Sequence, residues 1–202
     1  MHQLVEAFQE LRPAWAFPPE FDDLDYLFDM VMVVKPRAIL EYGSGCSTVA
    51  MFAACESLGI GVIHSLDADP YWYSANYGAL RTLNIIKPKQ NRVLLTFSAL
   101  LGMAPGGMRY LFNPCPNPEM IYVDGPRLYS AYPVLIDPAM LSPRPKVYVV
   151  DGRRSQVAYM RHCMEEQYTV DVDEKSFRTT FIRKDVVLEL PGSAMEREAV
   201  KV

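Results

Sequence analysis

Four acidic residues, Glu41, Asp67, Asp124 and Asp151, stand at the ends of four short apolar runs, in 38–42, 61–67, 119–124 and 146–151. A carboxylate in such a position can accept hydrogen bonds from ligand hydroxyls, neutralise a cation or take up a proton. The first run continues as Glu41-Tyr42-Gly43-Ser44-Gly45-Cys46-Ser47-Thr48, which reads as a strand, a glycine turn and the start of a helix. Gly43 and Gly45 let the backbone turn tightly and approach a ligand with no Cβ in the way, and the N–H groups opening the helix would face it. Glu41 restricts the ligand. A carboxylate beside the turn repels a pyrophosphate and attracts a group of positive charge.

These residues can act together only if the elements that carry them line up. The pattern predicts strands at 38–42, 61–67, 92–97, 119–124 and 146–151 and helices at 47–58, 71–83 and 154–166. Tyr168 to Val172 and Ser176 to Lys184 then read as an antiparallel hairpin. Strands alternating with helices argue for a doubly wound α/β domain, with a mostly parallel seven-stranded sheet ending in that hairpin. Such sheets bind ligands beyond the carboxyl ends of their strands, where all four acids would stand. Ahead of this domain, taken as 38–188, residues 1–37 read as an arm and a helix from Phe21 to Val34 packed on the core. Pro13, Trp15, Phe17, Pro18 and Pro19 give the arm its extended aromatic character. Leu101 to Pro118, broken by Pro105-Gly106-Gly107 and by Asn113-Pro114-Cys115-Pro116-Asn117-Pro118, cannot be one regular element and is expected as a long loop, with 189–202 as a frayed tail.

The turn resembles motif I of the class I S-adenosylmethionine-dependent methyltransferases, whose first strand typically ends in an acid, any residue, Gly, any residue, Gly. Ser47 stands where many members have a third glycine. The resemblance implies that Glu41, Tyr42, Gly43, Ser44 and Gly45 border S-adenosylmethionine, that Asp67 receives its ribose hydroxyls, and that Ser98 and Ala99 flank its adenine. Asp69 competes for the ribose role, although with Pro70 it also suits a helix cap. The implied reaction is in-line methyl transfer to an oxygen or nitrogen of a small molecule, with Asp124 available to take the proton. Some cation-dependent O-methyltransferases hold Mg²⁺ between acids matching Asp124 and Asp151, with an Asn directly after the second. Gly152 stands there in this chain, so no metal is expected.

Arg127, Arg153 and Arg154 follow the fourth and fifth strand ends, and the last two would sit at the positive end of helix 154–166, with Glu165 and Glu166 at its negative end. The helix dipole disfavours that arrangement, by a few tenths of a kcal/mol per charge. Together with Asp151 the arginines could form a substrate-binding wall for an anionic acceptor; the alternative is that they neutralise Asp124 and Asp151.

At 202 residues and a net charge of −4, the chain can bury one substantial core and lacks the basic balance of a nucleic-acid or anionic-membrane binder. Its start does not read as a secretory signal, and no uncharged stretch is long enough to span a bilayer. Cys46, Cys55, Cys115 and Cys163 form no C-x-x-C pair, which suits reduced thiols and a cytoplasmic protein. Two other functions remain open. A nicotinamide-dependent oxidoreductase could use the same turn and Asp67, but Glu41 opposes it and no Tyr-x-x-x-Lys pair is present. A methyltransferase-like domain could also bind a nucleoside or a partner without catalysis.

Overall fold

The computed structural model describes residues 1–87, 92–103, 107–111, 114–115, 117–124 and 144–188. Arg127 and the tail 189–202 lie outside these. The chain opens with α1 (His2–Glu10), whose Leu4, Val5 and Phe8 repeat at helical spacing, with Val5 and Phe8 fully buried. After the arm comes α2 (Phe21–Val34), then β1 (Ala38–Tyr42), α3 (Cys46–Leu58), β2 (Val62–Asp67), α4 (Pro70–Thr82) and β3 (Val93–Phe97). A small antiparallel pair follows, β4 (Leu100–Met103) and β5 (Gly107–Tyr110), and then β6 (Met120–Val123), β7 (Val147–Val150) and α5 (Arg154–Met164). The last elements are β8 (Tyr168–Asp173) and β9 (Arg178–Arg183).

Seven strands form one sheet in the order β3-β2-β1-β6-β7-β9-β8, with β1, β2, β3, β6 and β7 parallel and the β8–β9 hairpin antiparallel. The chain winds outward from β1 to β3, crosses back and continues on the other side as β6. A crevice therefore opens beyond the carboxyl ends of β1 and β6. Side chains alternate across the sheet: Ile39 and Ile63 join the core under α2 and α3, while Leu40, Tyr42 and Leu66 join the other core with Tyr148 and Phe181.

Three expectations are corrected. The segment from Leu101 to Pro118 is not loop throughout, because β4 and β5 pair antiparallel within it, in the register Leu101↔Arg109. The N-terminal arm contains α1, whose buried face makes a nine-residue helix stable by packing rather than by length. Helix α5 ends at Met164, so its last turn carries Arg161 and His162 and the expected charge reversal is confined to its N-terminal end.

Candidate functional site

The turn after β1 is held by bonds that its sequence dictates. Gly43 has φ of 94°, a left-handed conformation that favours glycine, and its N–H donates to the Leu66 carbonyl of β2 at 2.8 Å. The Gly45 N–H donates to Thr48 Oγ1 at 3.0 Å. Strand alternation puts Glu41 on the face of Ile39, beneath the first turn of α3, where Ser47 Oγ donates to its Oε1 at 2.6 Å and Thr48 Oγ1 to its Oε2 at 2.7 Å. Glu41 is fully buried, and that burial, outweighing the hydroxyl bonds, pushes its pKa up to about 7. It borders the turn from below and does not line the crevice. Ser47, in the place of a third glycine, supplies one of the two hydroxyls that hold it.

Asp67, at the end of β2, faces the same turn. Its Oδ2 accepts from Ser44 Oγ at 2.5 Å, and its Oδ1 from the Asp69 N–H at 3.1 Å. Asn76 of α4 donates to Ser44 Oγ at 2.8 Å and to the Ser44 carbonyl at 3.0 Å, fixing the turn from the α4 side. Burial raises the pKa of Asp67, against the hydrogen bonds it accepts. Asp69 caps α4, accepting from the Tyr71 and Trp72 N–H groups at 2.8 and 3.2 Å, with Pro70 in the first helical turn.

A cavity of about 670 Å³ lies beyond these strand ends, a volume suited to a small organic ligand. Its floor is the turn at Gly43, Ser44 and Gly45, and a Cβ added at Gly45 would meet no atom within 4 Å, so the floor opens onto free space. Asp67 borders one side, and Asp124, Asp151 and Arg153 border the other. Arg153 pairs with Asp124 at 3.3 Å. Asp151 is the more enclosed acid; burial is the main cause of its raised pKa, aided by Asp23 and Glu20 and opposed by Arg153 and Arg178. Tyr122 reaches toward Asp151 Oδ2 at 3.5 Å. The N-terminal arm supplies the remaining wall through Arg12, Phe17, Pro18, Glu20 and Asp23. Trp15 latches the arm to α4, its ring centroid 5.4 Å from Tyr71 and 4.7 Å from Trp72.

Of the residues expected at the site, Gly43, Ser44, Gly45, Asp67, Asp124, Asp151 and Arg153 border this one cavity. Tyr42 points to the opposite core face, 5.0 Å from Tyr110 between ring centroids. Ser98 is buried with its N–H donating to the Asp67 carbonyl at 2.8 Å, and neither it nor the exposed Ala99 lines the cavity. Arg154 turns away, its guanidinium 5.1 Å from the Phe177 ring in the β8–β9 hairpin. The Phe177 face attracts this exposed guanidinium, while Asp124 at the crevice is already engaged by Arg153. Sequence reasoning missed Arg12, Glu20, Asp23 and Trp72. The signal available for Arg12 was its place directly after a helix-spaced apolar face and before Pro13.

None of the four cysteines forms a disulfide. Among the described residues there is no cluster of three or more His, Cys, Asp or Glu that could hold a metal, and no helix long and apolar enough to cross a membrane.

No protein-family model and no curated protein matches the chain. Solved structures do. The SAH-bound methyltransferase PaMTH1 of Podospora anserina matches with a TM-score of 0.59 at 14% identity, over 92% of this chain and 89% of that one. A precorrin-6y C5,15-methyltransferase of Geobacter metallireducens matches with a TM-score of 0.55 at 13% identity, over 86% and 92%. The O-methyltransferase of Bacillus cereus in complex with SAH matches with a TM-score of 0.51 at 15% identity, over 91% of each chain.

Proposed function

We propose that this chain, which has the fold of the class I S-adenosylmethionine-dependent methyltransferases, transfers a methyl group from that cofactor to an oxygen or nitrogen of a small molecule in the cavity beyond β1 and β6. The observation that carries this is the continuity of the cavity: glycine turn, Asp67 and the Asp124–Asp151 pair border one volume of about 670 Å³. The SAH-bound neighbours support the cofactor, and the O-methyltransferase among them supports an oxygen acceptor.

The residues present fit S-adenosylmethionine. The free space over Gly45 leaves room for a ligand close to the backbone, and Asp67 can accept from ribose hydroxyls while bonded to Ser44. Glu20, Asp23, Asp67, Asp69, Asp124 and Asp151 outnumber Arg12 and Arg153 around the cavity, a field that favours a ligand bearing an ammonium and a sulfonium. When bound, the cofactor supplies a methyl group on a positively charged sulfur. The chain's part is to align donor and acceptor and to accept the proton that the acceptor loses.

The sequence points to Asp124 as proton acceptor. The ion pair of Asp124 with Arg153 and the raised pKa of Asp151 favour Asp151 for that role, with Asp124 holding Arg153 at the rim. The same balance of charge argues against an anionic acceptor, since Arg153 is paired with Asp124 and Arg154 lies on Phe177. A neutral or cationic acceptor, a hydroxyl compound or an amine, suits the acidic lining.

The test is methyl transfer from isotopically labelled S-adenosylmethionine to matched panels of hydroxylated, amino and carboxylated small molecules. Label in neutral or basic acceptors supports the proposal. Label confined to anionic acceptors overturns the acceptor assignment, and no transfer to any acceptor would favour a binding domain without catalysis.

A further inference from the structure

Arg12 is the arginine of the cavity that no carboxylate claims. The other, Arg153, pairs with Asp124, whereas Arg12 forms no ion pair among the described residues. Its Nη1 donates to Gln9 Oε1 at 3.0 Å and lies 3.5 Å from Cys46 Sγ, while its Nε is buried with no partner. The guanidinium is held in place by rings, 4.9 Å from the Trp72 centroid and 5.5 Å from that of Phe8. A guanidinium carries five N–H donors, and a buried one left without an acceptor costs the desolvation of that group. Arg12 lines the cavity, so an acceptor of negative charge there can take up guanidinium N–H groups that Gln9 and Cys46 leave unused.

The surroundings narrow that acceptor further. Cys46, beside Arg12, opens the thirteen-residue α3, so the helix dipole adds positive potential at the same spot. Apart from Arg153, which Asp124 already pairs, the other charged residues of the lining are acidic, so the cavity favours a negative group at this corner over one elsewhere. A ligand that is cationic over most of its length and carries one carboxylate at its amino-acid end matches this distribution.

We propose that Arg12 receives the carboxylate of the amino-acid end of S-adenosylmethionine or its demethylated product. This assignment rests on the methyltransferase function proposed above. It makes the N-terminal segment part of the cofactor site, and it explains why Trp15 ties that segment to α4 beside Trp72. The alternative is that Arg12 only packs α1 against Trp72.

Calorimetric titration with S-adenosylhomocysteine and with its decarboxylated analogue separates the two, on the wild type and on Arg12→Gln. The wild type should bind S-adenosylhomocysteine at least about tenfold more tightly than the analogue, the size expected for a charge-assisted hydrogen bond. Arg12→Gln should abolish that preference and leave affinity for the analogue unchanged. Trp15 and Trp72 are the only tryptophans in the chain, so their fluorescence should respond to the carboxylate-bearing ligand in the wild type and less in the variant. Equal weakening of both ligands in Arg12→Gln would make Arg12 a packing residue and overturn the proposal. So would a wild type that binds both ligands equally, a comparison that stands even if the variant fails to fold. Arg12→Lys, which keeps the charge, should retain part of the preference. A wild type that binds neither ligand would overturn the cofactor assignment itself, a result distinct from binding without discrimination.

Discussion

The Ser44 hydroxyl donates to Asp67 Oδ2 at 2.5 Å, joining the glycine turn after β1 to the carboxyl end of β2. The bond lets one cavity wall be shaped by two strands that are adjacent in the sheet but separated in sequence by α3. Because Asn76 also donates to Ser44 Oγ, the Ser44 hydroxyl proton is directed to Asp67, leaving the carboxylate oriented toward the cavity.

Asp67→Ala should weaken S-adenosylhomocysteine binding by about 1.5–3 kcal/mol, the range for hydrogen bonds to a charged group. Calorimetry on the folded variant is the check. A lowered melting temperature with unchanged affinity would assign Asp67 to the turn alone.

Glu41 makes stability depend on pH in a defined direction. Its ordinary pKa of 4.5 is pushed up to about 7 in the fold, so between those values the native state keeps a proton that the unfolded chain has released. Stability should therefore fall as pH rises through this window and level off above it, by an amount on the order of 3 kcal/mol. Burial raises the pKa values of Asp67 and Asp151 as well, which adds to the slope in the same sense. Glu41→Gln should flatten the decline in urea melts taken between about pH 5 and pH 8. Equal slopes in wild type and variant would contradict the burial of this carboxylate.

Asp151→Asn should slow methyl transfer by about 10²–10⁴-fold while S-adenosylhomocysteine still binds, as expected for loss of a general base. In the wild type the rate should rise with pH as Asp151 loses its proton, above the range of an ordinary aspartate. If Asp124→Asn instead abolishes that pH limb and Asp151→Asn does not, the roles of the two acids are exchanged.

Transfer activity should persist in EDTA. Asp124 is engaged by Arg153, and Gly152 follows Asp151 where a further oxygen ligand would be needed. Loss of activity on chelation with recovery in Mg²⁺ would make the two acids metal ligands.

Arg178 ties the arm's helix to the far hairpin, pairing with both Asp23 of α2 and Asp173 of β8, and stacking 3.6 Å from the Tyr26 centroid. Arg178→Met should destabilise the fold by about 3–5 kcal/mol, because Asp23 is left buried without its cation. Denaturant melts measure this, and a change below about 1 kcal/mol would show the pair to be worth no more than a surface one.

The sheet and its crevice were legible in the sequence because every strand that carries an acid is a short apolar run followed by a turn, and its position along the chain fixes its carboxyl end. Alternation could also have told that Glu41 faces α3 and not the cavity, since it shares the parity of Ile39. The arm was harder. Arg12, Glu20 and Asp23 reach the cavity through the packing of α1 and α2 on α3, contacts between segments that no local pattern encodes. Arg154 misled for a similar reason: its position at the start of α5 was right, but its direction is set by Phe177, more than twenty residues on.

The central claim is most directly tested by calorimetric titration of the purified protein with S-adenosylhomocysteine, with the oxidised nicotinamide dinucleotides run in parallel. The account predicts saturable binding of S-adenosylhomocysteine at one site per chain and none of the dinucleotides, whose pyrophosphate would meet the acidic lining of the cavity. No heat from S-adenosylhomocysteine at millimolar concentration, or tighter binding of a dinucleotide, would contradict it.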